Sequence, residues 1–348
     1  MSNIKFFLGA NSNKGFISYF KQLQDQKNNL RLLILKGGPG SGKSSVMKKI
    51  AEYASECGNK IILIPCASDP DSLDAFIDTT TGFAMMDGTA PHIEDPALPG
   101  AAHHIIYTGD CWDDSLLSSQ KNEISALSEN ISDMHALSVA HIKAAEALRS
   151  ENARRSKKHI RKKEIYSFTE EILASLARTD CDSLVHKALL SAVSVGKTVF
   201  FKDTLSVMAD KIYSVRDSYS SASDYLLKRI KDGAQGRGVP VIECPCPTNP
   251  ELTEHIILPT ERIAVTVASP FHIDESKSEI LLDGLYKDEF DEEIPLLLLE
   301  ASKGHIKEAE MYIEKAKALH DELEGFYRSA MDYSLIDGII TDIKNRFY

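Results

Sequence analysis

The chain has 348 residues, 43% of them hydrophobic and 26% charged, with a formal net charge of −11 at pH 7. That balance excludes a disordered chain and is long enough for two domains, each with its own core. The acidic surface argues against wholesale contact with nucleic acid or anionic lipid, which takes a broad basic field, but leaves room for a local site that holds a small anion.

From Met1 to Phe16 there is only a short apolar patch at Phe6 to Leu8, and the densest apolar run elsewhere, Ile294 to Leu299, is far too short to span a bilayer. The expectation is a cytoplasmic protein with no membrane contact. Cys57, Cys66, Cys111, Cys181, Cys244 and Cys246 are spread through the chain, which fits reduced, mostly buried thiols better than a disulfide framework.

In chain order the pattern predicts an apolar strand at Arg31 to Lys36, a glycine-rich loop, a helix at Lys43 to Cys57, and strands at Lys60 to Ile64 and Gly82 to Met86. A long helical stretch follows, with Ile124, Leu127, Ile131, Met134, Ala145 and Leu148 at three- and four-residue steps. The order then recurs: strand at Lys211 to Arg216, loop, helix at Ser223 to Ala234, strands at Val239 to Cys244 and Arg262 to Val267. A second long helix follows, striped by Ile306, Ala309, Ile313, Ala316, Leu323 and Ala330. Both stripes read as packing faces.

The recurrence is visible residue by residue. A shift of 180 lays Lys48 and Ile50 on Lys228 and Ile230, Ile62 on Ile242, Pro65 and Cys66 on Pro245 and Cys246, Ile77 on Ile257, and His92 and Ile93 on His272 and Ile273. A period of domain length indicates two tandem copies of one α/β domain, 1–180 and 181–348, each a mainly parallel sheet followed by long helices. The two copies are expected to pack against each other.

The segment Gly37-Gly38-Pro39-Gly40-Ser41-Gly42-Lys43-Ser44 has the spacing G-x-x-x-x-G-K-S, and it stands between a predicted strand and a predicted helix. Glycines permit dihedrals closed to residues with a Cβ, so backbone N–H groups can turn around phosphate oxygens while the helix N-terminus adds its positive dipole. Lys43 is expected to reach the β- and γ-phosphates, Ser44 to ligate magnesium, and Ser45 to pack beside it. A magnesium site also wants a carboxylate at the end of a neighbouring buried strand; Asp87, after Phe83-Ala84-Met85-Met86, supplies it, with the plainer alternative of a turn cap at Gly88. Asp110 is a rival displaced from its strand end by Thr108 and Gly109.

On these residues the chain resembles the P-loop NTPase superfamily, most clearly through 31–87. The duplicated layout, with Asp87-Gly88-Thr89-Ala90-Pro91-His92, resembles a bacterial family of tandem-duplicated P-loop ATPases. The resemblance implies ATP and Mg2+ as cofactors and a nucleoside-triphosphatase activity. No N/T-K-x-D element, L-S-G-G-Q or D-E-A-D box is present, so adenine is the default base.

In the second copy the loop position falls on Asp217-Ser218-Tyr219-Ser220-Ser221-Ala222-Ser223-Asp224, where every glycine is gone, Ser223 replaces Lys43, Asp224 replaces Ser44 and Val267 replaces Asp87. Negative charge at a helix start stabilises the helix and repels phosphate, so this copy reads as degenerate. His92 is a possible catalytic or sensor residue, but the degenerate copy retains its equivalent, His272, which favours a structural role. Asp69 and Asp71 could position a water or hydroxyl, or simply form a turn around Pro70. The basic run 154–163 reads as a solvated arm, with a nucleic-acid contact or an arginine supplied to the nucleotide as the sharper alternative. The expected function is a Mg-dependent ATPase with one competent site. A small-molecule kinase and a nucleotide-gated adaptor, using the long helices to hold a protein partner, are the alternatives, since no residue that activates water follows Asp87.

Overall fold

The computed structural model describes residues 4–177, 186–217, 219–268, 280–281, 285–287, 291 and 293–348. The first half runs through β1 (Ile4–Lys5), β2 (Gly9–Ser12), β3 (Gly15–Ser18), β4 (Arg31–Lys36), α1 (Lys43–Glu56), β5 (Ile61–Pro65), β6 (Leu73–Asp78), β7 (Phe83–Asp87), β8 (His103–Tyr107), α2 (Asp114–Ser119), α3 (Lys121–Ser156) and α4 (Lys162–Ser175). The second contains β9 (Ser191–Val193), β10 (Thr198–Phe200), α5 (Lys202–Met208), β11 (Lys211–Arg216), α6 (Ser221–Gln235), β12 (Ile242–Pro245), β13 (Thr253–Leu258), β14 (Ile263–Ala268), β15 (Ile280–Leu281), α7 (Glu293–Ala330) and α8 (Tyr333–Phe347). Among the described residues no helix is long and apolar enough to cross a membrane.

The fold is α/β. One sheet has the order β1-β5-β6-β7-β4-β8 and the other β12-β13-β14-β11-β15. The order from β5 to β8 and the order from β12 to β15 are the same path, with the same sense at every pairing and the same register irregularity at Ile64/Pro65 and at Cys244/Pro245. Ile62 pairs with Ile77 and Ile242 with Ile257, so the 180-residue repeat is preserved down to the pairing of individual residues.

The sheets are more mixed than the sequence pattern predicts. Three of five pairings in the first sheet are parallel, but only two of four in the second, because β5-β6-β7 and β12-β13-β14 are antiparallel meanders. β6 and β13 were not expected as strands; the connections 66–72 and 79–82 are too short for the crossover that a parallel pair needs.

The chain forms two compact units: residues 1–9, 18–137 and 311–348, and residues 10–17 and 138–310. The sequence repeats 1–180 and 181–348 separate the two sheets but not these units. Each half ends in helices that belong to the unit of the other half's sheet.

In the first unit α1 and α8 share a core with the sheet. Val46, Met47, Ile50 and Ala54 of α1 meet Ile336, Ile340, Ile343 and Phe347 of α8 around Leu33, Leu35, Phe76, Phe83 and Met85. The three- and four-residue spacing on both helices makes one continuous apolar face, and Asp332 starts α8 by accepting the Ser334 N–H. In the second unit α4 plays the matching part: Ile165, Ile172 and Leu173 pack with Leu226, Leu227 and Ile230 of α6 over Val215, Ile256 and Val265. All six stripe residues named on α7 are buried, whereas Ile124, Ile131 and Met134 of α3 are only half-buried.

Ile343 is fully buried under the first sheet. Ile343→Ala is expected to destabilise the protein by about 2–5 kcal/mol in denaturant unfolding, while Asn345→Ala, exposed on the same helix, should change it by less than about 0.5 kcal/mol.

Candidate functional site

β4 delivers the chain into a turn that needs left-handed backbone at Gly40 (φ 68°) and at Gly42 (φ 84°), the residue before α1. Side chains with a Cβ pay a steric penalty there, so the glycine spacing follows from geometry. Lys43 turns back inside this loop: its Nζ donates to the Gly38 carbonyl (2.7 Å) and the Gly37 carbonyl (3.1 Å), and it is only 8% exposed. The Ser41 hydroxyl donates to the Gly38 carbonyl (2.8 Å), and Thr108, just past β8, reaches both the Lys36 carbonyl (3.0 Å) and Ser41 Oγ (2.8 Å). Ser44 Oγ accepts the Leu73 N–H at 2.9 Å, and Ser45 is exposed.

Asp87 caps its turn and also faces the loop lysine. Oδ1 accepts the Thr89 N–H and hydroxyl (2.9 and 2.6 Å), capping the turn, while Oδ2 lies 3.6 Å from Lys43 Nζ. The loop, its lysine and this carboxylate therefore meet where β4 and β7 end side by side, Leu35 pairing with Asp87.

Sequence reading missed Asp74. The antiparallel register pairs Ala75 with Met86, and one step further sets Asp74 opposite Asp87. Asp74 is buried and receives the Cys66 thiol; burial, reinforced by the charge of Asp87, pushes its pKa up to about 8, with Lys43 acting in the other direction. A signal existed in the repeat, because Glu254 occupies the same place 180 residues on. Burial likewise drives the Cys66 thiol well up, so it is no thiolate.

His92 lies in the interior, its ring stacked on Phe20 at 4.6 Å, and burial lowers its pKa despite Asp87. His272 lies outside the described residues, so the comparison between the two histidines ends there. Of the other candidates, Asp69 pairs with Lys317 of α7 (3.5 Å), Asp71 is exposed, and Asp110 sits exposed in the single turn after β8.

The outer side of the loop is covered by α7. A Cβ on Gly40 would come within 2.8 Å of the Glu324 carbonyl oxygen, and one on Gly38 within 2.7 Å of the Tyr327 ring. Two glycines of the motif thus also serve the packing of a helix almost three hundred positions away.

At the corresponding loop of the second unit the chain fills its own site. Asp217 Oδ2 accepts the Ser223 N–H (2.8 Å) and hydroxyl (2.7 Å) at the start of α6, while Oδ1 accepts the Tyr219 N–H (3.0 Å) and the Tyr286 hydroxyl (2.7 Å). A carboxylate thereby takes helix-start donors that an anionic ligand would use. Arg149 of α3 is buried beside it, paired with Glu146 and donating to Thr248 Oγ1 (2.9 Å) and Ser220 Oγ (3.2 Å). The cavity left among Arg149, Asp217, Ser223 and Glu254 is about 20 Å³, room for one water.

The three arginines of the basic run are tied down within the second unit. Arg154 and Arg155 both bond Glu151, and Arg161 donates to the Tyr286 carbonyl. The five described cysteines are free thiols, and Cys181 lies outside the described residues. Comparison with protein-family models, with curated proteins and with solved structures returns no match for this chain.

Two outcomes follow from these charges. Asp74 binds its proton more tightly in the folded than in the unfolded chain, so the stability it contributes is full below about pH 4 and is lost as pH rises through about 8; relative to wild type, Asp74→Asn should therefore gain stability progressively across that interval in urea melts. Arg149→Met strands the buried Glu146 carboxylate and should cost about 3–5 kcal/mol, most of it recovered in the Arg149→Met/Glu146→Leu double variant, as read by denaturant unfolding.

Proposed function

We propose that the first unit binds ATP with Mg2+ and hydrolyses it, in a P-loop NTPase-like domain whose tandem copy is degenerate, and that the protein works in the cytoplasm. The observation that carries this reading is the placement of Lys43: a buried ammonium cradled by the Gly37 and Gly38 carbonyls, at the start of α1, facing Asp87 at 3.6 Å. A lysine held this way is a fixed positive charge at a helix N-terminus, the arrangement that suits a polyphosphate.

The donor set fits the ligand. The loop backbone of Gly37 to Gly42, with Lys43, Ser44 and Ser45, would hold the phosphates, and Ser44 with Asp87 would hold the metal through hard oxygen donors. Bound MgATP supplies a phosphoryl group activated for transfer. The chain's own work is to fix the phosphate chain, to keep Lys43 charged and aimed, and to place two carboxyls, Asp87 and Asp74, at one end of neighbouring strands. His92, packed against Phe20, serves better as a support for the segment after Asp87 than as an acid or base.

Asp69 is engaged by Lys317, which weakens the kinase reading that would use it to position a substrate hydroxyl. The adaptor reading has a specific support: Glu324 and Tyr327 lie on the loop itself, so a ligand there would meet a helix from the second half of the chain, and a protein partner could sense that. The self-filled loop around Asp217 supports confining nucleotide to the first unit.

Purified protein with magnesium should release phosphate from ATP, and Lys43→Ala should lower turnover by at least about a hundredfold, in line with losing a charge that stabilises the transferring phosphoryl group. Turnover unaffected by Lys43→Ala would place the activity elsewhere; tight binding without turnover would favour the adaptor.

A further inference from the structure

The loop has a charged flank and an aromatic flank. On the β7 side stand Asp87 and, one strand further, Asp74. On the β8 side stand three aromatic residues that the proposed function does not use. Tyr107 ends β8 with 47% of its surface exposed; Trp112 follows one turn later with its ring centroid 5.8 Å from that of Tyr107; Tyr327 of α7 lies 5.6 Å from Trp112 on another side. Both pairs meet edge to face, at 79° and 61°. Tyr327 also touches the phosphate loop, since its ring is what a Cβ on Gly38 would strike.

We propose that Tyr107, Trp112 and Tyr327 form the subsite for the base of the nucleotide whose phosphates occupy the loop. The inference rests on the phosphate-loop reading and deepens it. In a nucleotide the base and the terminal phosphate are at opposite ends, separated by the ribose. With the metal carboxylate on the β7 flank, a nucleotide laid along the loop carries its base toward β8. That flank offers ring faces and edges beside Gly38, which suits a flat, weakly hydrated ligand.

The positions have local causes. Trp112 Nε1 donates to Asp114 at 2.8 Å, fixing the indole on its polar edge, and the Trp112 N–H bonds the Gly109 carbonyl in the short turn after β8. The Tyr107 ring lies back over that turn, its Cζ within 2.2 Å of where a Gly109 Cβ would stand. Tyr327 comes from the other half of the sequence, so a base held here is held jointly by β8 and α7.

Trp112 is the only tryptophan in the chain, and its emission reports on this spot alone. Full-length protein with magnesium is titrated with ADP and with pyrophosphate, by calorimetry and by Trp112 fluorescence. ADP should bind at least about tenfold more tightly than pyrophosphate, the equivalent of about 1.4 kcal/mol, and should change Trp112 emission more than pyrophosphate does. Tyr107→Leu should remove most of that ADP advantage and leave pyrophosphate affinity within about twofold; Tyr327→Leu should likewise lower the ADP-to-pyrophosphate affinity ratio, whereas Tyr327→Phe should retain it. Tyr107→Leu is the safer variant, because Tyr107 is exposed. An ADP-to-pyrophosphate ratio unchanged in both leucine variants, or an equal loss for both ligands, overturns the base subsite while Lys43-dependent pyrophosphate binding leaves the phosphate loop standing. Failure of wild type to bind either ligand overturns both.

Discussion

The structure turns on one electrostatic constraint: a strand that ends beneath the start of a helix points that helix's free N–H groups at a single place, and something negative has to be balanced there. The two units meet this constraint in opposite ways. In the first, the loop holds a buried cation, Lys43, tied to two carbonyls and facing Asp87. In the second, Asp217 is the anion, and its four hydrogen bonds close the loop on itself.

The substitutions between the copies make sense as a set under that constraint. Once Ser223 stands in the lysine position, the second loop has lost its cation, and Arg149 brings one from α3, balanced by Glu146. Glu254, the counterpart of Asp74, stays beside it as a buried carboxylate. A buried arginine and glutamate paired in this way are costly to separate, because removing either leaves the other's charge uncompensated. The first unit instead retains a buried carboxyl, Asp74, whose pKa burial and the charge of Asp87 raise and the charge of Lys43 lowers.

Helix exchange joins this chemistry to the architecture. The residues that cover the first loop, Glu324 and Tyr327, and those that complete its core, Ile336 to Phe347, come from the end of the chain. Likewise α4, from the first half, completes the core around α6. Neither half of the sequence therefore holds a whole unit, and the loop glycines answer to two demands at once: left-handed backbone at Gly40 and the close approach of α7 at Gly38 and Gly40.

The sequence alone determined the α/β class, the strand, loop and helix from Arg31 to Glu56, the position of Asp87 at the end of a buried strand, and the 180-residue repeat. These rest on local rules: dihedrals open only to glycine, three- and four-residue apolar spacing, and a strand end that leaves a carboxylate beside its neighbour. It did not reveal the antiparallel meanders, Asp74, the self-filled loop around Asp217, or the aromatic flank of Tyr107, Trp112 and Tyr327. Tyr286 on Asp217 and Tyr327 beside Trp112 are contacts between residues far apart in the chain, and Asp74 faces Asp87 through the register of two neighbouring strands; strand register and the helix that covers a face decide which side chains meet. Local periodicity specifies that a face is apolar but not which distant helix will lie on it, and that choice belongs to the tertiary structure.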